Sequence, residues 1–140
     1  MKKIFLILFA AIVLNITVNS QSTIYLYYED KGFANISLNM KFNNEDAFLL
    51  KKNQKKKCNM KNEGKLIITF KESSLITGSF GQRSIIWADE IQLNLIKNSV
   101  HHIKIVRKGE DINFIVLTAS QAKKESVSKR YKDTYIYEEE

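Results

Sequence analysis

Ile36-Ser37-Leu38-Asn39-Met40-Lys41-Phe42 carries an apolar side chain at every second position, with Ser37, Asn39 and Lys41 between them. Successive side chains of an extended chain point to opposite faces, so this period of two separates a buried face from a wet one. A helix would need apolar spacings of three and four. The stretch predicts a half-buried β-strand, and its neighbours carry the same kind of signal.

Upstream, Thr23-Ile24-Tyr25-Leu26-Tyr27-Tyr28 is rich in β-branched and aromatic residues and ends at Glu29-Asp30-Lys31-Gly32. Downstream, Asn43-Asn44-Glu45-Asp46 reads as a turn before Phe48-Leu49-Leu50, and Asn62-Glu63-Gly64 as a turn before Lys65 to Phe70. Ser84 to Trp87, Ile91 to Leu95 and Val100 to Val106 follow. Lys108-Gly109-Glu110-Asp111 has the composition of a hairpin connection into Ile112 to Leu117. About eight or nine strands, with turns every eight to twelve residues, predict an all-β domain over residues 21–118. The expected architecture is a single antiparallel β-sandwich, Ig-like or transthyretin-like.

After Thr118 the composition shifts to Lys, Ser and Ala. Residues 119–140 read as a charged C-terminal segment. Ala119 to Lys132 is its helical or irregular part, with Glu125 and Lys129 spaced for a helical ion pair. Tyr135-Ile136-Tyr137 is a candidate edge strand.

Composition sets the outer bounds. The 140 residues are 44% hydrophobic and 26% charged, with five Gly, no Pro and one Cys. So apolar a chain is not intrinsically disordered, and a lone Cys excludes an internal disulfide framework. The lack of Pro excludes Pro-rich linkers and collagen-like repeats. The length suits one domain, which usually takes about 100–200 residues.

The first twenty residues read as an export signal. Lys2 and Lys3 form a positive start, Ile4 to Leu14 is an unbroken apolar run, and Val18-Asn19-Ser20 precedes the expected cleavage before Gln21. A membrane anchor would need roughly 20 apolar residues, and Asn15, Thr17 and Asn19 interrupt this run. No Cys follows it, which argues against lipid attachment at a new N-terminal Cys. The expected location is periplasmic or extracellular, with no integral span after processing. Removing two lysines from the full +7 leaves 20 basic against 15 acidic residues, a net +5.

Thr23-Ile24-Tyr25-Leu26-Tyr27, Asn62-Glu63-Gly64 before an apolar strand, and Ile91-Gln92-Leu93-Asn94-Leu95 before Val100 to Val106 together resemble a bacterial family, domain of unknown function 2846. The resemblance covers about Thr23 to Leu117. It implies a small exported or lipid-anchored β-sandwich and brings no catalytic residues with it.

The charge is concentrated. Lys51, Lys52, Lys55, Lys56, Lys57, Lys61 and Lys65 fall within fifteen residues that hold one acid, Glu63. Such a surface attracts phosphate- or carboxylate-bearing polymers and binds them in a salt-sensitive way. The segment lacks the interleaved aromatics that single-stranded nucleic acid favours. Its plain alternative is a solubilising edge hairpin, because lysines on an edge strand block edge-to-edge association. In a strand, Lys55, Lys57, Asn59 and Lys61 would share one face, and Lys56, Cys58 and Met60 the other.

Other chemistry is sparse. Cys58 reads as a small buried residue, with a cation-activated thiol or a pairing between chains as the alternatives. His101 and His102 would diverge on a strand instead of chelating one ion, with one ring packed and the other in water, so no metal and no cofactor is expected. Glu29-Asp30, Glu45-Asp46, Asp89-Glu90 and Glu110-Asp111 fall at expected turns and read as turn-capping pairs. No nucleophile elbow, P-loop or dinucleotide fingerprint occurs. In Thr77-Gly78-Ser79-Phe80-Gly81-Gln82-Arg83, the residues Phe80 and Arg83 form a candidate contact pair, or else Phe80 folds back on the core. Asn35-Ile36-Ser37 matches a glycosylation sequon, relevant in a eukaryotic secretory pathway.

These features lead to an exported, non-catalytic β-sandwich acting as an envelope-associated or accessory binding module, its partner an envelope protein or an anionic polymer. The alternative is a polyanion-binding module that uses segment 51–65 on lipopolysaccharide, acidic polysaccharide or extracellular nucleic acid. A small exported enzyme or enzyme inhibitor is the third reading, with no visible site to support it.

Overall fold

In the computed structural model the alternation at Ile36–Phe42 folds as its spacing predicts: Ile36, Leu38, Met40 and Phe42 are buried, Ser37 and Asn39 exposed. The structure describes residues 21–32, 36–71, 74–77, 82–85, 89–109, 111–131 and 134–139, with backbone alone for 74–77, 82–85 and 134. The strands are β1 (Ser22–Asp30), β2 (Leu38–Phe42), β3 (Glu45–Leu50), β4 (Lys55–Met60), β5 (Gly64–Phe70) and β6 (Ser74–Thr77). They continue as β7 (Gln82–Ile85), β8 (Ile91–Leu95), β9 (Val100–Lys108) and β10 (Asp111–Val116). Helix α1 (Ala119–Ser126) and strand β11 (Thr134–Glu138) follow. The expected leader, residues 1–20, lies outside the described residues, as do Asn35 and Trp87. Among the described residues no helix is long and apolar enough to cross a membrane.

Two sheets form a sandwich. One has the order β10-β9-β1-β4-β11, the other β3-β2-β5-β8, and β6 pairs with β7. The inward faces meet in one core: Ile24, Leu26, Tyr28, Cys58, Ile103 and Ile105 from the first sheet, and Leu38, Met40, Leu66, Ile68 and Phe70 from the second. Each fully buried aliphatic or Phe side chain contributes about 1.5–3 kcal/mol. The alternation is therefore the main force that selects this fold.

The pairing departs from a purely antiparallel sandwich in two places: β1 runs parallel to β9, and β4 parallel to β11. Parallel neighbours need a long crossover. Here the chain between β1 and β9 passes through the second sheet, and α1 with its flanking residues intervenes between β10 and β11. The C-terminal segment is thus part of the sandwich, with β11 at the edge of the five-stranded sheet.

Three local readings are corrected. The β2–β3 turn narrows to Asn43 and Asn44, whose φ angles of 51° and 69° suit a two-residue hairpin, so Glu45-Asp46 begins β3. Glu29-Asp30 lies inside β1 and is buried, because cations from distant strands neutralise both carboxylates. Helix α1 ends at Ser126, leaving Lys129 outside it, and Glu125 pairs with Lys104 instead. The helix starts at a capping box, in which Thr118 and Gln121 exchange side-chain-to-backbone hydrogen bonds.

Candidate functional site

With its inner face committed to the core, the five-stranded sheet offers its outer face as a working surface. Strand alternation puts Thr23, Tyr25, Tyr27 and Glu29 of β1 on that side, where Thr23 and Tyr25 are half-buried and Tyr27 and Glu29 are buried against Tyr131 and Arg130. Register aligns β4 and β9 on either side: Lys57 opposite Tyr25 opposite His102, and Lys55 opposite Tyr27 opposite Lys104. At the β11 edge Ile136 stands next to Lys57 and is 63% exposed. Two cross-strand rows result, each carrying a lysine and an aromatic residue side by side. No linear reading could show this, because the lysines and the tyrosines belong to different strands.

The aromatic groups form a ladder. Tyr25 and His102 stack with centroids 4.9 Å apart and 7° between planes, and Tyr27 lies 6.0 Å beyond His102 at 18°. The Tyr27 hydroxyl is 3.0 Å from His102 Nδ1, within hydrogen-bond distance. Tyr131 tilts against Tyr27 at 5.5 Å, and the Lys55 ammonium sits 5.8 Å from the Tyr27 ring centre. Burial, with smaller contributions from Tyr25 and Glu125, pushes the Tyr27 phenol up to about 12, so it stays neutral. Burial, then Lys55 and His101, hold His102 below the usual imidazole range. Near neutral pH Tyr27 and His102 are therefore uncharged, and the positive charge beside them comes from the lysines.

Beside the ladder, an ion cluster ties the C-terminal segment to the sheet. Glu29 accepts from Lys104 and Arg130, each at 2.8 Å. Lys104 also pairs with Glu125, which takes a hydrogen bond from the Tyr131 hydroxyl at 2.9 Å. Burial alone would raise the Glu29 pKa. The hydrogen bond from Lys104 and the charges of Lys104, Arg130 and Lys31 bring it below the ordinary value. The Lys55 ammonium reaches the Ser126 carbonyl at 3.5 Å, at the end of α1. Between α1 and the first residues of β9 lies a groove of about 480 Å³, lined in part by Val100, His102, Leu117, Ala119 and Lys123.

The seven lysines do not form one patch. Lys55 and Lys57 face outward in the rows above. Lys56 points to the inner side, its ammonium 4.4 Å from the Phe48 ring centre. Lys52 donates to the Gly32 carbonyl at 3.4 Å, and Lys51 is exposed in the β3–β4 turn. Lys61 lies exposed past the end of β4, where Glu139 accepts its backbone N–H. Lys65 is exposed on β5, in the other sheet. Among the described residues no carboxylate pairs with Lys55 or Lys57.

The remaining candidates separate in space. Cys58 is fully buried, and burial pushes its thiol up to about 12 despite the partial offset from Lys56. That thiol is a packing group. His101 and His102 diverge, but neither ring is fully solvated: His101 Nε2 is 3.1 Å from the Ser99 hydroxyl, and both are half-buried. Asp30 does cap the following turn, accepting the Gly32 N–H at 2.8 Å, and also holds Arg107 at 2.9 Å. Asp89 accepts the Glu90 N–H, a local cap. Phe80 and Glu110 lie outside the described residues, and of Arg83 only the backbone, in β7, is described.

Tyr25, Tyr27, His102 and Tyr131 are the site residues that the one-dimensional pattern missed. Their available signal was the alternation of β1, which places Tyr25 and Tyr27 on the face opposite Ile24 and Leu26. No family model, no curated protein and no solved structure matches the chain, so the resemblance to domain of unknown function 2846 rests on its strand motifs alone.

Proposed function

We propose that the chain is an exported, non-catalytic binding module that acts by contact, with the outer face of its five-stranded sheet as the contact surface. The observation that carries this reading is the row Ile136–Lys57–Tyr25–His102. It sets an exposed aliphatic residue, a cation and a stacked ring pair next to one another on rigid strands. Aromatic residues are enriched at the cores of binding surfaces, and positions on strands hold them more precisely than loops do. An envelope protein or an anionic polymer is the partner this surface fits.

The polyanion reading is favoured by a specific feature of the same surface. Lys55 and Lys57 lie beside aromatic rings and lack carboxylate partners among the described residues, whereas Lys56 faces inward, Lys61 lies past the end of β4 and Lys65 is on the other sheet. The anion-binding set then contracts from seven lysines to Lys55 and Lys57, with Lys51 and Lys52 at the adjoining turn. The test is capture of partners from an envelope extract at low and high salt, by the wild-type protein and by the Lys55→Glu/Lys57→Glu double variant. Loss of the captured partner in the double variant supports the reading. Capture unchanged at both salt concentrations refutes it.

A further inference from the structure

We infer that the Lys57–Tyr25–His102 row is a binding site for single-stranded nucleic acid, with Tyr25 as the stacking platform and Lys55 and Lys57 as phosphate contacts. This rests on the proposed contact function of the outer face and names its ligand. Proteins that hold single strands without strong sequence preference combine a cationic track for the backbone with aromatic faces for the bases. Each part is on this sheet. Tyr25 is half-buried and backed on one side by His102, and among the described residues its ring contacts stop there. A ring braced in this way is already oriented, so a base stacking on it orders little that was mobile.

The cations stand on the neighbouring strand β4. Lys57 is the direct cross-strand neighbour of Tyr25, and Lys55 follows two positions along, on the same face of β4. Adjacent outward positions on one strand repeat at about 6–7 Å, close to the phosphate spacing of an extended single strand. Lys123 lines the groove on the far side of His102 and extends the positive surface past the ring pair. The nearest outward acid on β4's other neighbour is Glu138, and it is engaged by the Asn59 side-chain amide at 2.6 Å. Glu29 and Glu125 are held by Lys104 and Arg130. An acidic polysaccharide would use the lysines but has no planar base to stack on Tyr25.

The test is fluorescence anisotropy of the purified exported protein with a labelled oligodeoxythymidylate, repeated over a salt series with heparin as the comparison ligand. Tyr25→Leu, which keeps apolar bulk but removes the ring, is expected to weaken oligonucleotide binding roughly tenfold, with Tyr25→Trp retaining it. Lys57→Gln should reduce the magnitude of the salt slope by about 0.7, the increment for one phosphate contact on a single strand. Lys65→Gln, on the other sheet, should change neither. If Tyr25→Leu binds the oligonucleotide as well as wild type does, the inference is overturned. It is equally overturned if heparin binds through Lys55 and Lys57 and the oligonucleotide does not, although the contact reading of the outer face then stands. That wider reading fails separately, if envelope partners are captured undiminished by the Lys55→Glu/Lys57→Glu variant.

Discussion

Lys57 stands directly opposite Tyr25 across the antiparallel pair of β4 and β1, and Tyr25 in turn stacks on His102 of the parallel neighbour β9. A lysine segment without aromatic residues thereby acquires them from two other strands. The relationship depends on register, since a slip of one residue would send Lys57 to the core side and Cys58 to the surface. Burial of Cys58 and Met60 therefore also fixes the chemistry of the opposite face.

Arg107 and Asp30 form a buried ion pair at 2.9 Å, and Asp30 also accepts the N–H groups of Gly32 and Ile36. Arg107→Ala should destabilise the fold by about 3–5 kcal/mol, because it leaves a buried carboxylate uncompensated. Gly32→Ala should also destabilise, since a Cβ there would displace the Arg107 guanidinium, which is buried and held by Asp30. Urea melts of both variants measure this. An unchanged midpoint for Arg107→Ala would show that the pair contributes nothing.

Cys58 should be inert in the native protein. A shift from 9.0 to about 12 leaves about a thousandfold less thiolate near neutral pH, and the sulfur is also enclosed by the core. Iodoacetamide should alkylate it slowly in buffer and rapidly in urea. Rapid native alkylation would overturn the packing assignment.

Acid should loosen the attachment of the C-terminal segment. The Glu29 pKa is lower in the folded state than in the unfolded chain. Its stabilisation is therefore complete above the unfolded value and is lost as the pH falls through the depressed one. The His102 pKa is depressed as well, so this imidazole also binds its proton more readily in the unfolded chain. Its contribution is present above about 6.5 and declines as the pH drops through the folded value. Urea midpoints should fall on acidification in both windows. Glu29→Gln should flatten the lower one and cost about 1.5–3 kcal/mol at neutral pH. A pH-independent midpoint would contradict the ion cluster's role.

At the β2–β3 hairpin, Asn44 has φ 69° and Asn43 has φ 51°, and the Asn43 side-chain carbonyl accepts the Ile67 N–H at 2.9 Å. Asn44→Gly should leave stability nearly unchanged, Asn44→Val should cost about 1–3 kcal/mol, and Asn43→Gly about 1 kcal/mol. Thermal melts rank the three. Equal tolerance of valine and glycine at 44 would argue against the left-handed turn.

What the chain disclosed in one dimension was local. The alternation at Ile36–Phe42, the apolar run Thr23–Tyr28 and the turn before Lys65 each reflect neighbours in sequence, and each folds as a strand or turn. Glu29-Asp30 resembled a turn because carboxylates usually sit in water, and the cations that bury them, Lys104, Arg107 and Arg130, come from far along the chain. The parallel pairing of β1 with β9 is equally non-local. So is the helix-to-sheet pair of Glu125 with Lys104, which displaced the expected pair with Lys129. The lysine run was plain to see, but its division among both sides of β4, its flanking turns and β5 was set by strand alternation and sheet membership. The aromatic partners of Lys55 and Lys57 could be found only once register was known.

The most direct test of the contact surface is capture of envelope partners at low salt by four proteins: wild type, Lys55→Glu/Lys57→Glu, Tyr25→Leu and Lys61→Glu/Lys65→Glu. The outer-face account predicts that the first double variant and Tyr25→Leu lose the captured partner, while the Lys61/Lys65 variant retains it. Retention by the first two, or loss confined to the Lys61/Lys65 variant, would contradict it.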